Sequence, residues 1–422
     1  MKIFTTPLLL TMFFITALQL AGCQQYGSGI RTDIPENECP FDKGIDRTSR
    51  TFFDPETRER PSSVPIVKVV DFTNVGEVYD RCQWSDVLYE VRGGVDLEAA
   101  RKRSKFVVIY VHGWKHNSSK DDTDLSHFTQ WIKKLSESRG ADEDVVGVYV
   151  SWPGQSIDIP IIDNLTFWGR KGAADRVSTA ANFSKLLSSI ESVRRQRKNS
   201  NDFIVGIGHS FGARILFGGV SPLLLHELQI HHPGSRAGTY KTFKGILDLT
   251  VLLNPAFEAT RHTAFDSSRR WQEAFHSNQQ PILLTISTNN DYATKFAFPI
   301  GQFFGTRWQA RERTTLGNYS EYTTHKLQIA STSKEDTEQK NIWYDDFCEG
   351  NLCLSRFEGD RQPGNPFLIA TTDASVINGH NGVWDHKLQD WLAQFIRKVK
   401  AESKVLQSKT AMAAASTRID VR

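Results

Sequence analysis

Between about residues 65 and 400, short unbroken apolar runs alternate with longer segments in which apolar positions recur every three or four residues. The runs at 106–111 (Phe-Val-Val-Ile-Tyr-Val), 145–152, 203–207, 245–253, 281–287 and 366–371 read as buried strands. Helices are predicted over 173–198, with Val177, Ala181, Phe183, Leu186, Leu187, Ile190 and Val193 on one stripe, over 213–225 and over 384–399. Strands that are apolar on both faces, with helices between them, specify a mostly parallel sheet covered on both sides. Residues that act on a ligand are then expected at the carboxyl ends of the strands.

The two ends of the chain break this pattern. Residues 1–22 carry one cation, Lys2, and then an apolar stretch through Leu8, Leu9, Leu10, Phe13, Phe14, Leu18 and Leu20 that is shorter than the roughly 20 residues of a membrane span. This is the pattern of a signal peptide. It ends in Leu20-Ala21-Gly22-Cys23, which resembles the lipobox of bacterial lipoproteins. That resemblance implies cleavage before Cys23, lipid attached to its thiol, and an exported, membrane-anchored protein. Gln24 rather than Asp follows the cysteine, which favours the outer membrane in a Gram-negative cell. Residues 23–64 are polar and contain Pro35, Pro40, Pro55 and Pro61, so they read as a tether, and the Ala-, Ser- and Lys-rich residues 401–422 read as a flexible tail.

Composition narrows the function. With 39% apolar residues, 26 Phe and 10 Trp in 422 residues, the chain is too apolar for a disordered one. A formal charge of +3 leaves no electrostatic footprint for nucleic acid. Apart from Cys23 there are Cys39, Cys82, Cys348 and Cys353, and an oxidising compartment permits two disulfides among them. Cys348 and Cys353 flank a four-residue loop that a bridge would close, leaving Cys39 with Cys82; four free thiols are the alternative. No paired CxxC or HExxH spacing points to zinc, and neither a P-loop nor a dinucleotide fingerprint is present, so no metal or cofactor is expected. His226, His231 and His232 near Glu227 read as a solvated cluster, and Arg194, Arg195, Arg197 and Lys198 as a cationic helix end.

The third apolar run leads directly into Gly208-His209-Ser210-Phe211-Gly212, and a helical stretch follows. The pentapeptide alone is common, but a G-x-S-x-G turn between strand and helix presents its serine at the tip, within reach of a base and a substrate. A serine nucleophile needs a base, and the base an orienting acid. Asp291 follows the run at 281–287, and His380, in Asn378-Gly379-His380-Asn381, follows the last run and precedes the last helix. Glu258 is the competing acid and His386 the competing base; Asp248 falls inside a predicted strand. His112 and His209 are read as packing and hydrogen-bonding groups, and His116 as a candidate for the entrance.

With His112-Gly113-Trp114-Lys115-His116-Asn117, the segment 147–152, Gly208 to Gly212 and Asn254-Pro255-Ala256-Phe257, the chain resembles the α/β-hydrolase superfamily. Within it, the likeness is to a group of bacterial esterase- and lipase-like proteins. The resemblance covers about 67–398. It implies a serine hydrolase without cofactor whose oxyanion is held by the backbone N–H groups of Trp114 and Phe211, with the triad in the chain order Ser210, Asp291, His380. The 88 residues between Asp291 and His380 include Phe296, Phe298, Phe303, Phe304, Trp308, Trp343, Tyr344 and Phe347, so either a cap or lid is expected at about 302–365 or these aromatic residues seal the core. A second lid element is expected at 154–169. A small-molecule or lipid ester is the expected substrate. Acyl transfer by the same triad, or a non-catalytic surface lipoprotein that keeps the fold, are the rival functions.

Overall fold

The structure is a computed structural model that describes residues 65–93, 97–119, 121–140, 142–154, 167–199, 201–231, 242–266, 275–276, 279–291, 294, 309–330, 346–357 and 365–419. The leader, Cys23, Cys39 and the tether lie outside these residues.

One sheet organises the described chain. Its strands are β1 (Ile66–Asp71), β2 (Ser104–Val111), β3 (Glu143–Ser151), β4 (Phe203–His209), β5 (Leu249–Leu253), β6 (Leu283–Thr288), β7 (His325–Ile329), β8 (Phe347–Glu349), β9 (Leu352–Arg356) and β10 (Phe367–Thr372). Their spatial order is β1-β3-β2-β4-β5-β6-β10-β7-β9-β8. Pairing is parallel from β1 across to β7, and antiparallel in β7-β9 and β8-β9. β2 is buried along its whole length, as expected of a strand covered on both faces.

Alternate strand residues feed two cores. Val107, Ile109 and Val111 pack with α1 (Arg81–Arg92), α3 (Phe167–Thr179), α4 (Ala181–Arg197) and α5 (Phe211–His231), whereas Phe106, Val108 and Tyr110 pack beneath α2 (Thr123–Glu137) and α6 (His386–Ile419). α2 starts where the Asp122 carboxylate accepts from the Asp124 and Leu125 N–H groups, and it buries Leu125, Phe128, Ile132 and Leu135 at helical spacing. α6 does the same with Leu388, Trp391, Leu392, Phe395, Ile396 and Val399.

Three expectations are revised. The helix predicted over 173–198 is two helices broken at Ala180, which has extended backbone (φ −63°, ψ 135°). The 73–76 loop docks at that break: Asn182 Nδ2 donates to Gly76 O at 3.0 Å, Arg176 Nε donates to Asn74 O at 3.0 Å, and any Cβ at Gly76 would sit 2.3 Å from Ala180 Cβ. Beyond residue 400 the expected loose tail continues α6 as far as Ile419. Its Ala, Lys, Gln, Leu and Met residues favour helix even without an apolar face to bury.

The expected cap at 302–365 contains, in its described portions, three short helical turns, Ala310–Arg313, Leu316–Asn318 and Ser320–Tyr322, and then an extension of the sheet. β7 joins β10, and the β8-β9 hairpin continues outward from β7. Leu327, Leu352, Leu354 and Phe347 are buried, and Phe347 packs edge-on against Trp391 and Phe395 of α6. The strands are only three to five residues long, so alternation had little length in which to register. Phe296, Phe298, Phe303, Phe304, Trp308, Trp343, Tyr344 and the lid element at 155–166 lie outside the described residues.

Cys348 and Cys353 form a disulfide across the β8-β9 turn, and Cys82 on α1 is also disulfide-bonded. Closing so short a loop limits the unfolded chain by about 2 kcal/mol. Cys348→Ser is expected to lower the chemical-denaturation midpoint by a corresponding amount without changing the slope. An unchanged midpoint would show that the bridge contributes no stability.

Candidate active site

The topology places two loops side by side. From β2 the chain passes to β3 on one side of it, then to β4 on the other, so β2 and β4 are neighbours whose connections leave in opposite directions. A crevice opens at the carboxyl ends of such a pair. His112-Gly113 leaves β2 there and Ser210 leaves β4.

Ser210 has a left-handed backbone, φ 55°, between the last residue of β4 and the first of α5. Such a conformation costs a non-glycine residue on the order of 1–3 kcal/mol and persists only where the surroundings fix it. Here Ser210 N donates to Leu253 O at 3.0 Å, and Ser210 O accepts from Arg214 N at 3.3 Å and Ala256 N at 3.1 Å. α5 then passes so close to β2 that a Cβ on Gly212 would lie 2.0 Å from Val111 O and 2.4 Å from His112 O. Both obstacles are backbone. Gly212→Ala is therefore expected to cost at least about 1–3 kcal/mol and to reduce the yield of folded protein. A variant as stable as the parent in thermal melts would contradict this packing.

The β2 loop is pinned equally closely. A Cβ on Gly113 would lie 2.9 Å from His209 Nδ1 and 3.1 Å from Ser210 Cβ. Lys115 takes φ 71° and donates its N–H to Gly154 O at 3.1 Å. Buried His112 donates from Nδ1 to Gly113 O at 2.8 Å and accepts at Nε2 from Trp152 N at 3.1 Å, while Trp152 Nε1 donates to His112 O at 2.9 Å. Burial pushes the His112 pKa down, so it serves as a neutral clasp between the ends of β2 and β3.

Above this crevice the loops after β6 and β10 converge. Ser210 Oγ is 2.7 Å from His380 Nε2, and His380 Nδ1 is 2.6 Å from Asp291 Oδ2. With Nδ1 protonated, the imidazole donates to the carboxylate and accepts the serine proton. Asp291 is fully buried. It accepts also from Thr294 N at 3.2 Å and Thr294 Oγ1 at 2.7 Å. Burial alone would raise its pKa, but the hydrogen bond and charge of His380 and the Thr294 donors outweigh that and hold it below the ordinary carboxylate value. A mostly parallel sheet, a strained serine between strand and helix, and Ser, Asp and His meeting at its carboxyl edge in that chain order decide the architecture.

The chain has the α/β-hydrolase fold. No protein-family model matches the sequence, and no curated protein matches it. Among solved structures, the hydrolase fold here is similar to an esterase B from Lactobacillus rhamnosis, at 13% identity over 76% of this chain and 81% of that one with a TM-score of 0.27. A phospholipase PlaB from Legionella pneumophila is similar at 11% identity over 73% of this chain and 64% of that one, with a TM-score of 0.28. Likenesses this distant carry no argument about chemistry, which rests on the side chains themselves.

The hydrolase fold separates the sequence candidates. Glu258, the alternative acid, is turned into an ion cluster: its carboxylate meets Lys171 Nζ at 2.6 Å, Arg214 Nη1 at 2.8 Å and Arg261 Nε at 3.4 Å. Burial opposes its charge, but Arg214 and Lys171 hold its pKa far below the usual carboxylate value. Asp248 lies at the amino end of β5, bound to Ile204 N at 2.8 Å, across the sheet from Ser210. His386 is the first residue of α6. His116 faces Asp122 at 3.3 Å. Phe211 is the first residue of α5, so its N–H sits at the positive end of the helix dipole. Trp114 follows the pinned Gly113, with Lys115 Nζ 4.6 Å from its ring centroid. On α5, His231 and Glu227 approach at 3.4 Å, and among the described residues no group of three His, Cys, Asp or Glu side chains is arranged to hold a metal ion.

Several side chains around the site make contacts whose partners the sequence does not announce, although Asn254 opens the Asn254-Pro255-Ala256-Phe257 motif. Asn254 (φ 42°) and Asn290 sit at the ends of β5 and β6 and bind the His380 loop. A strand-end Asn that tolerates left-handed backbone was the available clue to Asn254. Arg214 bonds Asp175 at 2.6 and 2.7 Å as well as Glu258.

Proposed function

We propose that this protein is a serine hydrolase of carboxylic esters. Ser210 is the nucleophile, His380 the base and Asp291 the residue that orients the base. The observation that carries this reading is the unbroken hydrogen-bond chain from Ser210 Oγ through His380 to Asp291, at 2.7 and 2.6 Å.

As Ser210 Oγ bonds to the carbonyl carbon, its proton passes to His380 Nε2 and the carbonyl oxygen becomes an oxyanion. Backbone N–H groups of Phe211 and Trp114 are the proposed donors to it, the first favoured by its place at a helix N-terminus. Collapse breaks the bond to the alcohol oxygen, which leaves with the proton from His380. Water then attacks the acyl-enzyme, gives a proton to His380, and the acid departs as Ser210 recovers its hydrogen. The depressed Asp291 pKa favours the ionised carboxylate, which compensates the imidazolium formed as His380 takes the serine proton. The acid limb of the kcat/KM profile should accordingly carry one proton. A two-proton limb beginning in the ordinary carboxylate range would show that Asp291 titrates with the base.

The N-terminal pattern supports placing this hydrolase at the cell envelope, anchored by lipid on Cys23. A lipid or small-molecule ester is the substrate class that suits such a location. The test is a series of p-nitrophenyl esters of increasing acyl length with wild type and Ser210→Ala. Turnover that peaks at one length and vanishes in the variant is expected. No ester turnover above the Ser210→Ala rate would refute the proposal.

A further inference from the structure

His380 lies in an irregular loop, from Asn378 to Asn381, between β10 and a short helical turn at Gly382–Trp384. Its polar groups are gripped by side chains from three adjacent strand ends. His380 O accepts from Asn254 Nδ2 at 2.9 Å and His209 Nε2 at 3.0 Å. Gly379 O also faces Asn254 Nδ2, at 3.4 Å, and Gly379 N donates to Asn290 Oδ1 at 3.1 Å. Asn290 reaches the same loop a second time, through Asn378 Oδ1 at 3.2 Å, and its Oδ1 also accepts from Thr288 Oγ1 at 2.8 Å.

Asn254 and His209 are themselves rigid. Asn254 is fully buried. Its Oδ1 accepts from Thr288 N at 3.0 Å and its N–H donates to Ile286 O at 2.9 Å, so one side chain joins the ends of β5 and β6 to the His380 carbonyl. His209 precedes the nucleophile and is buried against Gly113, with its ring centroid 5.0 Å from that of His380. Burial, reinforced by His380, pushes its pKa down to about 3, so it remains a neutral N–H donor throughout the working range and adds no charge to oppose the imidazolium.

From these contacts we propose that Asn254 and His209 are positioning residues: their two donors fix the His380 carbonyl, and with it the direction in which the imidazole presents Nε2 to Ser210. This rests on the serine-hydrolase reading above. A peptide plane held at its carbonyl cannot rotate, and the imidazole hangs from the adjoining Cα. Freed of both donors, the His380 peptide could turn about the Gly379 and Asn378 contacts that Asn290 still makes, while Ser210 and Asp291 stayed fixed on their own strand ends.

The test uses the full chain and the p-nitrophenyl ester turned over fastest by wild type. Asn254→Asp keeps the acceptor for Thr288 N and puts an acceptor where the donor to His380 O was; His209→Phe removes the second donor, and His209→Gln restores an N–H at the Nε2 position. Loss of positioning of about 1 Å predicts kcat lower by about 10- to 100-fold in Asn254→Asp and His209→Phe, with KM within about twofold, and His209→Gln within about threefold of wild type. The kcat/KM profile of His209→Gln should keep its acid limb, since neither side chain titrates there. Wild-type kcat in both Asn254→Asp and His209→Phe would overturn the inference, as would His209→Gln damaged as badly as His209→Phe, which would make the ring's packing the cause. Should Asn254→Asp fail to fold, the His209 pair decides. Absence of Ser210-dependent turnover in wild type would instead remove the hydrolase reading, an outcome separable from unaffected positioning variants in an active enzyme.

Discussion

Ser210→Ala and His380→Ala are each expected to lower kcat on an ester by about ten-thousand- to million-fold while leaving the thermal midpoint near that of wild type. The size follows from the linkage of the two groups at 2.7 Å. Removing either leaves the other without a function, so the double variant should be scarcely slower than either single one. Asp291→Asn is the more informative change. Its amide can still face His380, but it can donate where the carboxylate only accepts, which favours the wrong tautomer and predicts a loss of about ten-thousand-fold. Steady-state kinetics on the folded variants, with circular dichroism as the control, checks all four. A double variant slower by the product of the single losses would show that Ser210 and His380 act independently.

Glu258→Gln should do the opposite, costing stability rather than chemistry. Glu258 is 3% exposed and pairs with both Lys171 and Arg214, so neutralising it leaves two buried cations without their common anion. Breaking a buried pair from one side costs about 3–5 kcal/mol, a large share of the about 5–15 kcal/mol that a domain has. Denaturant titration should show that loss, while the fraction that remains folded turns over ester at the wild-type rate. The same cluster sets an acid limit. Glu258 and Asp175 both have depressed pKa values in the folded protein, Asp175 through the hydrogen bonds and charges of Arg214 and Arg261 against the effect of burial. Their contribution is complete above the ordinary carboxylate range and is lost as pH falls below about 4 through the depressed folded values. Glu258→Gln should therefore flatten the acid side of the stability profile. Full stability but lost turnover in Glu258→Gln would return Glu258 to the role of acid.

The contrast between Asp291 and Glu258 also marks how far the sequence could be read. Strand ends placed Ser210, Asp291 and His380 within reach of one another, because an apolar run followed by a polar loop is a local signal and a parallel sheet gathers its carboxyl ends along one edge. Choosing between the acids was not local. Glu258 is excluded by Lys171 and Arg214, residues 87 and 44 positions away, and no period or spacing announces such a pair. The helix break at Ala180 was hidden for the same reason, since the loop that docks there comes from around Gly76. The β7-β9 extension carries no sequence signal because its strands are too short to show alternation, and Phe347, one of the aromatic residues that could equally seal the core, does so by packing beneath α6. His209 was expected to pack and hydrogen-bond. What the sequence withheld was its partner, a carbonyl 171 residues away.

Covalent trapping of the nucleophile tests the central claim most directly. Wild-type protein is treated with a fluorophosphonate ester, and the adduct is located by peptide mass spectrometry. A serine activated by His380 predicts one stoichiometric adduct on Ser210, absent from Ser210→Ala and formed orders of magnitude more slowly by His380→Ala. Folded wild-type protein that remains unlabelled, or an adduct that forms equally well on Ser210→Ala, would contradict it.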